Sequence, residues 1–287
     1  MIFGLGAALG WGLADLFAAV SGRRIGSWAT VVIAQLSSAL LIGLVFLLAR
    51  PGDLGDLGNV AGVVIANAFL AAAAYATLYR ALELGPIAVV SPLLASYAVI
   101  PVLLAVVLLG ESLSPLQVTG VTVTIVGAIL TSTDLAALRA GTHRMPKSLP
   151  WVVASTILFG VATYILGWAA REAGWLPTLW LSRTTTALLF ALGAVVVRVR
   201  RGRAFERPVP RASLRLPLAL GAVDVLGTMS YVRGAEFGLL SIVTAVSATY
   251  PLIPVFGGVR LFGERPSPNQ YAGVAMVIAG LILLAIA

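Results

Sequence analysis

Residues 84–130 read LGPIAVVSPLLASYAVIPVLLAVVLLGESLSPLQVTGVTVTIVGAIL. Residues 237–284 read FGLLSIVTAVSATYPLIPVFGGVRLFGERPSPNQYAGVAMVIAGLILL. Sliding 80–130 onto 233–283 needs no gap, and at that offset of 153 it makes 22 of 51 positions identical. Shared Leu or Val would mean little in so apolar a chain. The shared set instead includes Arg80/Arg233, Glu83/Glu236, Gly85/Gly238, Tyr97/Tyr250, Pro101/Pro254, Gly110/Gly263, Glu111/Glu264, Ser114/Ser267, Pro115/Pro268, Gln117/Gln270, Gly120/Gly273 and Gly127/Gly280. The earlier parts of the two halves align less closely, at an offset near 148 that sets Gly12 on Gly160 and Gln35 on Arg183. The chain is therefore a tandem repeat.

The composition says where such a repeat lives. The 287 residues are 60% hydrophobic and only 10% charged, with mean hydropathy +1.02. A soluble domain carries about 25% charged residues, so this chain cannot cover a water-facing surface. The net charge of +8 sits between apolar runs, which speaks for membrane orientation and against nucleic acid. Without Cys there is no disulfide, thiolate nucleophile or thiolate metal site, and the single imidazole, His143, falls in a polar stretch. The first apolar run has no basic segment before it and reads as a spanning helix rather than a cleaved leader.

A spanning helix needs about 20 mostly apolar residues. Ten runs qualify: 2–20, 28–49, 59–79, 86–109, 115–133, 150–170, 176–197, 215–235, 239–261 and 267–286. The expected fold is an all-α polytopic membrane protein with ten transmembrane helices. Residues 1–133 form the first repeat, 134–149 a polar linker and 150–287 the second repeat. Five helices per half is an odd number, so the second half crosses the membrane in the opposite sense. Inverted repeats are a recurring design of secondary transporters, which bind substrate at the midplane between the halves.

The run G-E-x-x-x-P-x-Q-x-x-G, from Gly110 to Gly120 and again from Gly263 to Gly273, also carries a family resemblance. The two stretches resemble the second part of an EamA repeat. Two such repeats resemble the ten-helix EamA-type transporters of the drug/metabolite transporter superfamily, over nearly the whole chain. The resemblance implies a secondary transporter, an exporter of amino acids, other metabolites or drugs, in a cell (inner or plasma) membrane.

Ionisable groups at membrane depth are functional candidates by default, because hydrocarbon disfavours them strongly. Arg183 in helix 7, Asp224 in helix 8 and Asp15 in helix 1 qualify. Arg183 reads either as the anchor of a substrate carboxylate or phosphate or as half of a structural pair with Asp15 or Asp224. Asp224 offers a partner for a substrate amine, a carrier for a coupling proton, or the mate of Arg183. Gln35, the repeat partner of Arg183, is polar and deep as well. Tyr97 and Tyr250 lie halfway along helices 4 and 9, too deep for an interfacial belt. Together with Trp168, Asn67 and Tyr75 they are candidates for a cavity wall. Pro92, Pro101, Pro251 and Pro254 break helices 4 and 9 and mark kinks. Glu83 and Glu236, each three residues after an Arg, read as gating or structural pairs. Glu111 and Glu264 read as caps on the helix that follows each of them.

There is no P-loop, H-E-x-x-H or G-x-S-x-G motif. The expectation is a non-enzymatic transporter without cofactor or metal. It is driven by a proton or by the solute's own gradient, meets no nucleic acid, and works as a monomer in the lipid bilayer. Acid and base together favour zwitterions such as amino acids; lipophilic drugs or sugars are the alternative. A membrane enzyme and a non-transporting membrane subunit are the readings from other classes.

Basic residues number 15 in the odd loops and 3 in the even ones, which places the odd loops in the cytoplasm and both ends outside. A fluorescent reporter fused after Ala287 is therefore expected to stay dark and a fused periplasmic phosphatase to be active; the reverse pattern inverts the topology.

Overall fold

The computed structural model describes residues 1–49, 55–84, 90, 94, 96–132, 147–205, 209–254, 256–257 and 267–286. Among them are ten α-helices and no strand. They are α1 (Ile2–Ile25), α2 (Ser27–Ala49), α3 (Gly55–Leu84), α4 (Val99–Leu108), α5 (Pro115–Ser132), α6 (Leu149–Ala173), α7 (Trp175–Arg201), α8 (Arg215–Phe237), α9 (Leu240–Ser247) and α10 (Pro268–Ile286). Gly85, Ser91, Pro92, His143, Gly263 and Glu264 lie outside the described residues.

Six helices are long and apolar enough to cross a membrane, and four apolar helices are shorter. The expected spans are correct in kind, and α1, α3, α6 and α7 run about a turn or more longer. α1 continues to Ile25, carrying Arg23 and Arg24 in its last turn, where cations oppose the negative end of the helix dipole. Helices 4 and 9 are less regular. The described residues of the first are Val90, Leu94, a 3₁₀ turn, Ser96–Ala98, and α4. The second is interrupted by turns over 248–251. α9 ends at Ser247, and the chain continues in i→i−3 hydrogen bonds from Thr249 to Val246, Tyr250 to Ser247 and Ile253 to Tyr250. Pro251 and Pro254 cannot donate to an α-helical ladder, so tighter turns take over. Pro101 sits in the first turn of α4, where an N–H would be unpaired anyway.

α1 packs into the interior through small residues. The buried face of α1 is Gly, Ala, Ser and Asp apart from Ile25, while Ile2, Leu40, Val107 and Val199 are each more than 70% exposed. Large apolar side chains outside and small ones inside is the membrane pattern, because helices in lipid associate by close packing and gain nothing from hiding Leu.

Contacts across the molecule come in pairs that follow the repeat. α1 packs along α8 as α6 packs along α3, and α2 meets α7 as α5 meets α10. Gly12 abuts Ile253 and Gly160 abuts Ile100; Gly127 abuts the Gly273 carbonyl and Gly280 abuts the Gly120 carbonyl. Gly26 and Gly174 end α1 and α6 with φ of 88° and 81°, a conformation open to glycine and strained for other residues. The S-P-x-Q run caps the helix that follows in both halves and is a full capping box in the first, where Gln117 N–H donates to Ser114 Oγ. Gln117 and Gln270 accept from the backbone N–H of Ser114 and Ser267, three residues earlier.

A side chain on Gly127 would meet Val277 N at 2.7 Å and Gly273 O at 3.0 Å. Backbone cannot step aside, so Gly127→Leu is expected to cost about 1–3 kcal/mol or more and to lower the unfolding temperature in detergent. Gly43→Ala, with nothing within 4 Å of the new carbon, should leave it unchanged.

Candidate functional site

Helical spacing sends the polar residues to one place. Trp11 and Asp15 are one turn apart on α1. Asn67, Ala71, Tyr75 and Tyr79 form an i+4 row on α3, and Asp224, Thr228 and Tyr231 form a stripe on α8. These faces, with Phe159 and Thr163 of α6 and Ser182, Arg183 and Thr186 of α7, enclose a cavity of about 90 Å³. Ten of its wall residues come from the first half and eleven from the second. Seven are aromatic: Trp11, Tyr75, Tyr79, Tyr97, Phe159, Tyr231 and Tyr250. The helix breaks of the previous section lie here. Tyr97 is in the 3₁₀ turn before α4 and Tyr250 in the turns after α9, and irregular backbone is tolerated at membrane depth where protein or a cavity surrounds it.

Arg183 and Asp224 form a salt bridge at 2.9 Å, both side chains about 95% buried. Arg183 Nη1 also donates to the Tyr75 hydroxyl at 2.7 Å and to Gln35 Oε1 at 3.3 Å, and Nη2 donates to Thr228 Oγ1. The Tyr75 hydroxyl donates to the Asp224 carboxylate, with oxygens at 3.1 and 3.2 Å. Thr228 donates to the Asp224 carbonyl and accepts from Trp11 Nε1. The guanidinium lies 5.2 Å from the centre of the Tyr75 ring. The structural-pair reading of Arg183 is thus the arrangement formed, with Asp224 and not Asp15 as the mate. Its fork is committed to four acceptors, so it does not stand open as a carboxylate anchor. Gln35, the repeat partner of Arg183, is itself one of those acceptors, and the Tyr97 and Tyr250 rings meet at 6.4 Å. Each is a pair of repeat-related positions in contact.

Asp15 has a different environment. It is 6% exposed, lines the cavity and belongs to none of the ion pairs among the described residues, and its Oδ2 has no hydrogen-bond partner. Asn67 donates to the Ala162 carbonyl but leaves its own oxygen unpaired.

Some expected residues are elsewhere. Trp168 packs against the cluster of Leu57, Val60 and Val64, away from the cavity wall. Arg80 and Glu83 pair at 2.9 Å, and Glu83 accepts from the Ser27 backbone. Arg233 and Glu236 do not repeat that pair. Arg233 lies over the rings of Trp175 and Phe237, and Glu236 keeps a buried oxygen without a partner. Glu111 does not cap α5, the helix that follows it. Its carboxylate accepts from the Leu240 and Ser241 backbone N–H groups and the Ser241 hydroxyl, capping α9 of the other half. It also pairs with Arg171 at 2.9 Å, while Arg171 donates to the carbonyls of Ala235 and Gly238. The local signal at α5 was already answered by Ser114 and Gln117, which left Glu111 free to act at long range. Thr228, the hub between Trp11, Arg183 and Asp224, was not anticipated; its only local signal is its place one turn after Asp224.

Comparison with known proteins bears on the family and the fold. The model of the EamA-like transporter family matches residues 1–133 and 146–286. A solved crystal structure superposes on 99% of this chain and 96% of its own, with TM-score 0.72 and 20% identity; at that identity the likeness speaks for the fold alone. No curated protein matches the sequence.

Arg183→Gln and Asp224→Asn each strand one buried charge and are expected to lose about 3–5 kcal/mol of stability. The double variant Arg183→Met/Asp224→Leu should lose less than the sum of the two, as read from thermal unfolding of the purified protein.

Proposed function

Because the chain belongs to the EamA-like transporter family, we propose that this membrane protein is a secondary transporter whose solute occupies the cavity between the two halves and is exposed to each side in turn as they rock. The observation that carries this reading is the make-up of the cavity. Both halves contribute almost equally to it, and repeat-related residues touch there, Gln35 on Arg183 and Tyr97 on Tyr250. Two halves related in this way can exchange roles, so a wall closed on one side has a counterpart that closes the other. Arg171 and Glu111 join α6, the segment after α4 and the start of α9 across the halves. The broken helices beside Tyr97 and Tyr250 supply the bending points.

The solute is small and partly apolar, since rings make up a third of the wall. No P-loop is present in the sequence, so a proton or the solute's own gradient supplies the drive. Amino acids and related zwitterions remain the first panel to test, with lipophilic drugs and sugars as the second. Export is the direction we assign, and the arginine distribution supports cytoplasmic odd loops in a cell membrane. A single chain already encloses the cavity, which supports a monomer.

The test is counterflow in proteoliposomes. Vesicles loaded with an unlabelled mixture of amino acids and small amines are given traces of labelled solute outside. Accumulation above protein-free vesicles is expected, and Tyr75→Phe, which cuts the hydroxyl link between Arg183 and Asp224, should reduce it about tenfold. Absence of exchange for every solute class offered, with folded protein in the vesicles, overturns the transporter reading.

A further inference from the structure

Three charged side chains stand on the cavity wall, and two of them cancel. Arg183 and Asp224 are paired, which leaves Asp15 as the ionisable wall residue without a counter-charge among the described residues. Buried polar atoms in folded proteins nearly always have partners, yet four atoms of the wall residues have none. They are Asp15 Oδ2, Asn67 Oδ1 and the hydroxyl oxygens of Tyr97 and Tyr250. All four can accept a hydrogen bond, and the first two, as carboxylate and amide oxygens, accept by nature. The wall's strongest donor, the Arg183 guanidinium, is committed to Asp224, Tyr75, Gln35 and Thr228. What the cavity lacks is a donor with positive charge.

The rings point to the same chemistry. Trp11 lies one turn before Asp15 on α1, its ring edge-to-face with Tyr97 at 6.4 Å, and Tyr97 lies 6.4 Å from Tyr250. The faces of Trp and Tyr attract cations, most strongly where water is excluded. A protonated primary amine has three N–H donors and no acceptor. An anion would instead face the Asp15 carboxyl group, with only the neutral Tyr97 and Tyr250 hydroxyls free to donate.

We propose that the cavity is a site for the ammonium group of a small organic amine, held by Asp15 and the Trp11–Tyr97–Tyr250 wall, so that the solute is an organic monocation. Calling that amine the transported solute rests on the transporter reading above; the site itself does not. Asp15 is then a binding residue, and the Arg183–Asp224 pair is the scaffold that holds α3, α7 and α8 around it.

The experiment compares one ring with three head groups. Binding of phenethylamine, phenylacetate and phenylalanine to the purified full chain is measured by calorimetry at neutral pH. Phenethylamine is expected to bind at least about tenfold more tightly than either of the others. Asp15→Asn, which keeps the shape and removes the charge, should weaken it about tenfold or more, and Tyr250→Phe should weaken it by a smaller factor. Tyr250→Phe carries the test if Asp15→Asn does not fold. The proposal is overturned if phenylacetate or phenylalanine binds more tightly, if the folded variants bind phenethylamine as the wild type does, or if none of the three binds at millimolar concentration. The two readings fail separately. Counterflow of some other solute without amine binding removes the amine site and keeps the transporter. Amine binding through Asp15 without exchange of any solute does the opposite.

Discussion

The buried ion pair between Arg183 and Asp224 is the interaction on which the centre of this protein depends. Two charges at membrane depth are tolerable only when every donor and acceptor around them is used, because hydrocarbon offers no water to make up a deficit. Here Tyr75, Gln35 and Thr228 accept from the guanidinium beside Asp224, and Trp11 fixes Thr228 in turn. The network draws α1, α2, α3, α7 and α8 to one point, so it takes in helices of both halves. Small residues on the facing helices let the backbones approach closely enough for these side chains to reach one another.

Around that point the molecule divides its polar groups into two kinds. The Arg183–Asp224 pair and the Arg171–Glu111 junction are charge-paired and hold helices in place. Asp15, Asn67, Tyr97 and Tyr250 are buried in the same interior but leave atoms unpaired. The broken helices serve the same division, since residues that cannot continue a helical ladder sit where the wall needs tyrosines rather than regular backbone.

Much of this was legible beforehand. Composition and run length named the solvent and the helices, and the recurrence of Arg, Glu, Tyr, Pro and Gln at an offset of 153 named the repeat. Of the expected site residues, Arg183, Asp224, Asp15, Tyr75, Asn67, Tyr97 and Tyr250 lie on one cavity wall, and Gln35 touches it through Arg183. Trp168 does not, because it stands two positions after the wall residue Leu166 on α6, which turns it to the opposite face and a different cluster. The Glu111 cap was assigned to the wrong helix, since proximity along the chain competes poorly with a partner supplied by the fold.

The boundary between sequence and structure follows the range of the physics involved. Hydrophobic length, helix-breaking proline and the capping boxes act within a few residues, so the order of amino acids alone determined an all-helical membrane protein with a repeated plan. Who partners whom acts across 108 to 149 positions, as in Arg183 with Tyr75 or Tyr75 with Asp224. The choice among Asp15, Asp224 and a ligand as the mate of Arg183 rests on distances of about 3 Å between helices far apart in the chain, which only packing sets. Tertiary structure alone therefore decided that the arginine is spoken for and that Asp15 is not.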